Sequence, residues 1–537
     1  MSELELQITE VGNEIRQLKL DKAEPSIIKE RVAVLNALKA QLPPAGGDDK
    51  SKPPGRMQLK TVKGTRDFDT KESAVRNILF DLITRVFENH GAGQINTPSL
   101  ELRDILMGKY GEEGGKLIYD LKDEGGERAS LRYDLTVPFA RFLAQRKVNT
   151  IKKYQIANVY RRDQPYMTKG RYREFAQCDF DIAGAYVSMS CEAECVLIID
   201  EVLSQLALGT YEIRTNHRGL LEGIFEVAGA PQSEFKVVCS SIDKLDKCSW
   251  ADVREELISV KLVDAKVVDV LGEYVRVREL NPQMNKVQLL EWFERDERAS
   301  KNKKIMDAVG EMKLMFEYGN AMGVSESAVF EPSLARGLDY YTGVIYEAII
   351  LEPSFKLAQV ECSEEEQNAR IGSVAAGGRY DKLVGDFIHA ASGKKKASSK
   401  NDVPCIGISF GVERLFTLLE QKLAAEDKKV NSKKTQVFVS NAHASSQLLL
   451  ERMKVIGTLW KAQICAEYAP KNKVQPLTQI RDCEEENIPL MVVIGDDELK
   501  NGTVQIRNVL TRENTVSFED LFKLLILFLG NQKRRNG

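Results

Sequence analysis

Apolar residues recur every three or four positions near the N-terminus, at Leu4, Ile8, Val11, Ile15 and Leu18. They do so again at Ile28, Val32, Leu35, Leu38 and Leu42. That spacing predicts two amphipathic helices over 1–42, with Pro25 and Ser26 suiting the start of the second. The stretch "PPAGGDDKSKPPG" that follows has a linker's composition, and a linker is expected over 43–59. From Lys60, strand-like alternation and helical periodicity take turns to about residue 230. Helical spacing then dominates 235–325, as in "NKKIMDAVGEMKLMFEYGNAMG", and glycine-rich, strand-like segments resume at 331. This pattern is that of a mixed body over 60–430 that holds a helical insertion. It changes once more at 435. "TQVFVS", "QICAEY", "LMVVIG" and "GTVQIRNV" read as strands with helices between them, so 435–537 is expected to form a small α/β domain.

Composition narrows the class without naming it. The chain has 537 residues, 43% hydrophobic and 29% charged, enough for several domains with ordinary cores. Its net charge is −3, so a nucleic-acid partner must be met by local basic surfaces rather than by a global field. Nine cysteines occur without a CxxC, and the four histidines lack zinc spacing. Dispersed, odd-numbered cysteines favour a reducing compartment over a disulfide framework. The first residues carry neither an apolar signal core nor an arginine-rich transit pattern. "LFKLLILFLG" near the C-terminus is too short to span a bilayer and reads as a packed helix. A cytoplasmic protein with no membrane partner is expected.

Four segments carry candidate chemistry. "RRDQPYMTKGRYREF" (161–175) lies between two alternating stretches, "KKYQIANVY" and "REFAQCDFDIAG", and so reads as a long hairpin. It places Arg161, Arg162, Lys169, Arg171 and Arg173 on or near rigid strands, which suits a polyanion. Period-two alternation puts Gln177, Asp179 and Asp181 on one strand face, either a polar site or a solvated surface. In "RYDLTVPFARF", Asp134 and Thr136 precede a proline, a pattern open to a strand-and-turn reading as well as a functional one. "ARGLDYYTGVIYEA" reads as a hairpin with an aromatic core, which explains its tyrosines but not Arg336 between Ala335 and Gly337. "AAGGRYDKLVG" (375–385) reads as a Gly-Gly turn leading into a charged strand or helix. Finally, "PCIGISFGVERLFTLLE" passes from strand to helix at Gly411, with Arg414 in the helix's first turn, a place suited to phosphate. There is no Walker A motif, GxGxxG fingerprint or metal cage. A bound nucleotide would rely on arginine forks and on a divalent ion carried mainly by its phosphates.

In this order the segments resemble class II aminoacyl-tRNA synthetases and, among them, the histidyl-tRNA synthetase family, over roughly 60–537. The N-terminal hairpin resembles the WHEP module of the eukaryotic cytoplasmic type. "KGTRDF" is similar to the family's opening, "GAGQINTPSLE" to motif 1, "VYRRDQPYMTKGRYREF" to motif 2 and "GISFGVERLF" to motif 3. "ARGLDYYTG" and "AAGGRYDKLVG" resemble the two peptides that single out the histidyl enzymes, while Asp163 stands where motif 2 more often has glutamate. The resemblance implies an α+β catalytic core built on an antiparallel sheet, a helical insertion that meets the acceptor stem and a C-terminal anticodon-binding domain. It implies ATP-dependent activation of L-histidine to histidyl-adenylate, transfer to the 3′ end of tRNA(His), Mg²⁺ accompanying ATP, and a homodimer.

By the same resemblance, Arg161 and Arg336 are the catalytic residues. Arg161 would meet the α-phosphate, Arg171, Arg173 and Arg414 the distal phosphates, and Arg336 the junction of substrate carboxylate and α-phosphate. Asp134, Thr136 and Gln177 would hold the amino group. Asp181 and Tyr341 would take the two ring nitrogens, with Tyr340 beside them. A neutral imidazole has one donor and one acceptor, so a carboxylate and a phenol together fix its tautomer. Two other readings stand beside this one. A catalytically inactive relative that senses histidine or uncharged tRNA should lack some of Arg161, Arg336, Gln177 or Asp181, yet all four are present. An RNA-binding protein using the basic hairpin would leave "ARGLDYYTG" unexplained.

Overall fold

The computed structural model describes residues 59–516, except Gly108, 111–113, 123–124, 166–169, 354–371, 393–398, Lys429, 445–446, Leu510 and 512–513. Before that segment it describes Val11, Glu14, Arg31 and Val34. These are helical, and Arg31 pairs with Glu14 at 3.6 Å. The rest of the expected N-terminal hairpin, nearly all of its linker, most of the arginine hairpin's tip and the apolar segment near the C-terminus lie outside the described residues. The chain falls into two compact units, Met1–Lys60 and Thr61–Gly537.

The larger unit is built on an eight-stranded sheet. Its strands are β1 (Gly93–Gln94), β4 (Ile151–Tyr160), β5 (Glu174–Ala183), β6 (Gly209–His217), β7 (Ala328–Phe330), β8 (Val344–Pro353), β9 (Ala375–Arg379) and β10 (Cys405–Gly411). Between β1 and β4 in the chain, β2 (Leu100–Leu102) and β3 (Ala129–Leu131) pair as a separate ribbon. The sheet order is β1-β4-β5-β10-β9-β8-β6-β7. All central pairings are antiparallel, and only the outermost pairs, β1 with β4 and β6 with β7, run parallel.

The sheet has two unlike faces because its strands alternate. Cys178, Phe180 and Ile182 of β5 share a face with Ile406, Ile408 and Phe410 of β10, and all six are buried. The helix Thr70–Asn89 covers them. Val75, Leu79, Ile83 and Val86 supply its apolar stripe, and Phe87 lies 5.4 Å from Phe180 and 6.0 Å from Phe410 between ring centroids. A capping box fixes the start of this helix: Asp69 accepts from Lys71 N–H and Glu72 N–H, and Glu72 accepts from Asp69 N–H. The helices Ser190–Leu206 and Val412–Ala425 join the same core.

Two sequence expectations are corrected. Gly377 and Gly378 do not form a turn. They sit inside β9, paired to β10 on one side and β8 on the other. A Cβ on Gly377 would come 2.1 Å from Gly407 O and 2.5 Å from the Tyr346 ring, so crowding by neighbouring strands, and not chain reversal, demands glycine there. The segment 335–348 is also not a hairpin. A loop with Gly337 at φ +68° feeds β8, and β8 pairs with β6 and β9.

Helices from Phe235 to Met322 pack around Leu257, Leu271, Leu289, Phe293 and Met312 between β6 and β7. A cavity of about 650 Å³ opens between them and β7. Its charged side chains are engaged with one another, Arg278 with Glu212 and Glu331 and Lys286 with Glu326. The C-terminal part is a second sheet of β11 (Val437–Asn441), β12 (Ala466–Tyr468), β13 (Leu490–Ile494), β14 (Gln505–Asn508) and β15 (Asn514–Val516), ordered β12-β11-β13-β14-β15. Alternation buries Val437, Val439 and Val492 in one cluster and Phe438 and Met491 in another. Among the described residues no helix is long and apolar enough to cross a membrane.

Candidate active site

The other face of the large sheet is polar. Register sets Lys153 opposite Asp181, Gln155 opposite Asp179 and Ala157 opposite Gln177 on the β4 side. Gly407, Ser409 and Gly411 stand opposite the same three residues on the β10 side. Gln177, Asp179 and Asp181 therefore line one floor, as alternation predicts, and all three are buried. The floor is not self-sufficient. Gln177 Nε2 donates to Ser409 Oγ at 2.7 Å, while Gln177 Oε1 and Asp179 Oδ1 are buried with no hydrogen-bond partner among the described residues. Burial pushes the Asp179 carboxyl up to about 7, against the pull of Lys153 and helped by the neighbouring Asp181. Native interiors leave few polar atoms without partners, so such atoms on one floor mark a place for a ligand.

Asp134 stands at the edge of this floor. It accepts from Tyr110 O–H at 2.9 Å and from Val137 N–H at 3.1 Å, at the start of the helix Thr136–Arg146. Thr136 opens that helix, and Pro138 fits its first turn, where a missing N–H costs nothing. Tyr340 and Tyr341 lie edge to face, 4.7 Å between centroids. Tyr341 is seated by two absent side chains: a Cβ would come 2.3 Å from its ring at Gly337 and 3.0 Å at Gly378. Asp181 accepts from Tyr380 O–H at 2.5 Å and pairs with Lys153 at 2.5 Å.

Beside the floor lies a group of arginines. Arg161, at the end of β4, is stacked over Tyr133 (4.3 Å) and Phe175 (5.1 Å), and its Nε donates to Tyr133 O at 3.1 Å. Arg336 pairs with Glu347 of β8. Arg414, in the first turn of the helix Val412–Ala425, donates to Ser373 O. Burial pulls the Arg414 guanidinium down to about 10, and repulsion from Arg336, Arg171 and Arg161 adds to the effect. Gly170 (φ +68°) lets the arginine hairpin rest on this helix. A Cβ there would come 2.9 Å from Glu413 O and 3.0 Å from Arg414 Cα.

The structure thus brings Arg161, Arg171, Arg336 and Arg414 within electrostatic reach of one another. Arg171 also pairs with Asp163. Arg173 is engaged differently: its Nε donates to Asp163 O at 3.0 Å, and its side chain packs against Gly64. Three residues of the floor escaped sequence reading. Tyr380 sits inside the glycine peptide, so a signal was at hand. Tyr110 and Lys153 had none, because only tertiary packing brings them to Asp134 and Asp181.

A six-stranded antiparallel centre with a polar floor, flanked by an arginine on the second strand's hairpin and another at a strand-to-helix junction, is the catalytic architecture of class II aminoacyl-tRNA synthetases. Comparison with known proteins narrows this. The histidyl-tRNA synthetase family model matches residues 64–415, an anticodon binding domain model matches 436–526 and a WHEP-TRS domain model matches 4–55. A histidine–tRNA ligase of Caenorhabditis elegans is 49% identical over 92% of each chain, and one of Danio rerio is 45% identical over 95% of this chain and 96% of its own. The crystal structure of histidyl-tRNA synthetase from Nostoc sp. PCC 7120 superposes with a TM-score of 0.68 at 25% identity, over 89% of this chain and all of that one. The chain belongs to the histidyl-tRNA synthetase family.

Proposed function

We propose that this chain activates L-histidine with ATP to histidyl-adenylate and transfers it to the 3′ end of tRNA(His), releasing pyrophosphate and AMP. The observation that carries this is the pairing of two features on one sheet face: four arginines close enough to repel one another, with carboxylate partners for Arg171 and Arg336 alone among the described residues, and a buried polar floor on which Gln177 Oε1 and Asp179 Oδ1 have no hydrogen-bond partner among those residues. The nucleophile is already a carboxylate, so the chain's task is to position it and to stabilise charge, with no protein base required. Arg161 takes the α-phosphate, and Arg171, Arg173 and Arg414 take the distal phosphates. Arg336 bridges the substrate carboxylate and the α-phosphate, where charge develops. Asp134, Thr136 and Gln177 hold the amino group. Asp181 accepts from one ring nitrogen, and Tyr341, with Tyr340 packed on it, donates to the other.

Mg²⁺ fits this site as an ion carried by ATP. Among the described residues no cluster of three metal-ligating side chains stands ready, while Glu347, beside Arg336 and Arg414, is a carboxylate that could complete its shell. Bound there, it would neutralise phosphate charge. In this reading 1–42 is a WHEP-like hairpin on a 43–59 linker, and 60–430 is the catalytic domain with its insertion at 235–325. The anticodon-binding domain is 435–537. A homodimer fits the exposed Leu100 and Leu102 of β2 beside motif 1. A cytoplasmic location fits the N-terminal hairpin. Matching ligases include ones named cytoplasmic and mitochondrial. Histidine-dependent ATP–pyrophosphate exchange by the purified chain tests the proposal. No exchange with histidine, or equal exchange with other amino acids, would overturn it.

A further inference from the structure

Lys153 is a lysine with none of its side chain exposed, and among the described residues Asp181, at 2.5 Å, is the one carboxylate in ion-pair contact with it. Its Nζ also lies 4.5 Å from the Phe139 ring centroid and makes no hydrogen bond of good geometry among the described residues. Burying an ammonium on one partner is costly, and a packing role would be served better by an apolar chain. Sequence alternation hides this lysine, because "IKKYQIANVY" reads like any half-exposed strand.

The floor explains the charge. Asp179 and Asp181 face the same space, and one ammonium cannot compensate both. Lys153 stands opposite Asp181 in the β4–β5 register and closes on Oδ2, while Tyr380 O–H holds Oδ1. Gly407 makes room for that carboxylate, since a Cβ there would come 1.9 Å from Asp181 Oδ1. An ionised carboxylate offers about four acceptor positions. Lys153 and Tyr380 take one on each oxygen and leave acceptor capacity for a ring N–H. We infer that Lys153 is a positioning residue for substrate recognition: it holds the Asp181 carboxylate in place as the acceptor of an imidazole N–H.

This rests on the placement of Asp181 in the imidazole pocket, so the test separates the two. In ATP–pyrophosphate exchange, the full chain carrying Lys153→Met should show a histidine KM raised roughly 10–100-fold, as for loss of a charged hydrogen-bond partner, with the KM for ATP within about twofold of wild type. Lys153→Arg should recover most of the histidine KM. Should Lys153→Met fail to fold, Lys153→Met/Asp179→Asn removes one charge of each sign and should fold with the histidine KM still raised. Asp181→Asn, measured alongside, should raise the same KM. If Asp181→Asn raises it and a folded Lys153 variant leaves it at the wild-type value, the lysine's role is refuted and the pocket stands. Equal damage to both KM values, or no recovery with arginine, also refutes it. If Asp181→Asn has no effect on histidine, the pocket itself is wrong.

Discussion

Lys153 and Arg452 are both cations with no exposed surface, one under each sheet, and they could hardly be used more differently. Arg452, on the helix Leu449–Lys461, donates to Ala469 O at 2.7 Å and Lys471 O at 2.6 Å and so ties down the segment after β12. Its Nε has no partner among the described residues, but both terminal nitrogens are held by backbone carbonyls. Among the described residues Lys153 meets a single carboxylate, on a floor where Gln177 Oε1 and Asp179 Oδ1 go without partners. Burial alone therefore does not mark function. A buried charge whose end groups tie backbone carbonyls together acts as scaffold, and one that stands on a floor of several side-chain acceptors beside a group of arginines is placed to serve a ligand.

The sharpest way to break this contrast is on the catalytic side. Arg336→Ala should lower the exchange rate by about 10²–10³, the usual loss for one preorganised charge contact, and should also lower the melting temperature, because buried Glu347 loses its ionic partner. A variant that exchanges pyrophosphate at the wild-type rate would remove Arg336 from the site. Next comes Asp181→Asn, which should raise the histidine KM by roughly 10–100-fold and spare that of ATP. Kinetics with each substrate varied in turn decide it. The opposite signature belongs to Arg452→Met. Two carbonyls lose their donor, so the C-terminal sheet should lose about 2–3 kcal/mol, read by denaturant unfolding, with pyrophosphate exchange intact. A large exchange defect in a folded Arg452→Met would erase the distinction between the two cations.

A smaller effect tests a third, half-buried arrangement. His90 sits between Glu194 (3.0 Å) and Glu201 (3.4 Å), and the hydrogen bond to Glu194, against burial, holds its pKa above the ordinary value. A raised pKa means stability fully present below about pH 6.5 and lost as pH rises through the folded value. The melting temperature should therefore fall slightly between about pH 6 and pH 8 in wild type, and less in His90→Gln. The smallest expected effect is none. Removal of residues 1–55 should leave histidine activation unchanged, because every proposed site residue lies beyond Lys60, and a collapse of exchange would redraw that boundary.

Much of this architecture was legible in the sequence. The legs of the arginine hairpin, the junction at Gly411 and the strand–helix alternation after 435 are set by local periodicity, and local periodicity survives in one dimension. Gln177, Asp179 and Asp181 could be placed on one face for the same reason. What could not be read depends on strands distant in the chain. Gly377 and Gly378 look like a turn until Tyr346 and Tyr341 are seen pressing against them. Tyr110 reaches Asp134, and Tyr380 reaches Asp181 across about two hundred residues. Lys153 differs from the neighbouring Lys152 only in its parity along β4. That parity sends Lys152 to Glu194 on a helix and Lys153 into the floor.

Parity also limits how this protein can vary over evolutionary time. A single residue gained at the start of β5 would turn Cys178, Phe180 and Ile182 toward the polar floor and drive Gln177, Asp179 and Asp181 into the packed interior against Phe87. Only a bulge that takes up the extra residue could preserve the two faces, and it would disrupt the pairing with β4 and β10 on which the floor is built. Changes in length are then confined to the stretches between strands, such as those joining β4 to β5 and β8 to β9. A survey of family members should find insertions and deletions crowded there and absent from the ten positions of β5.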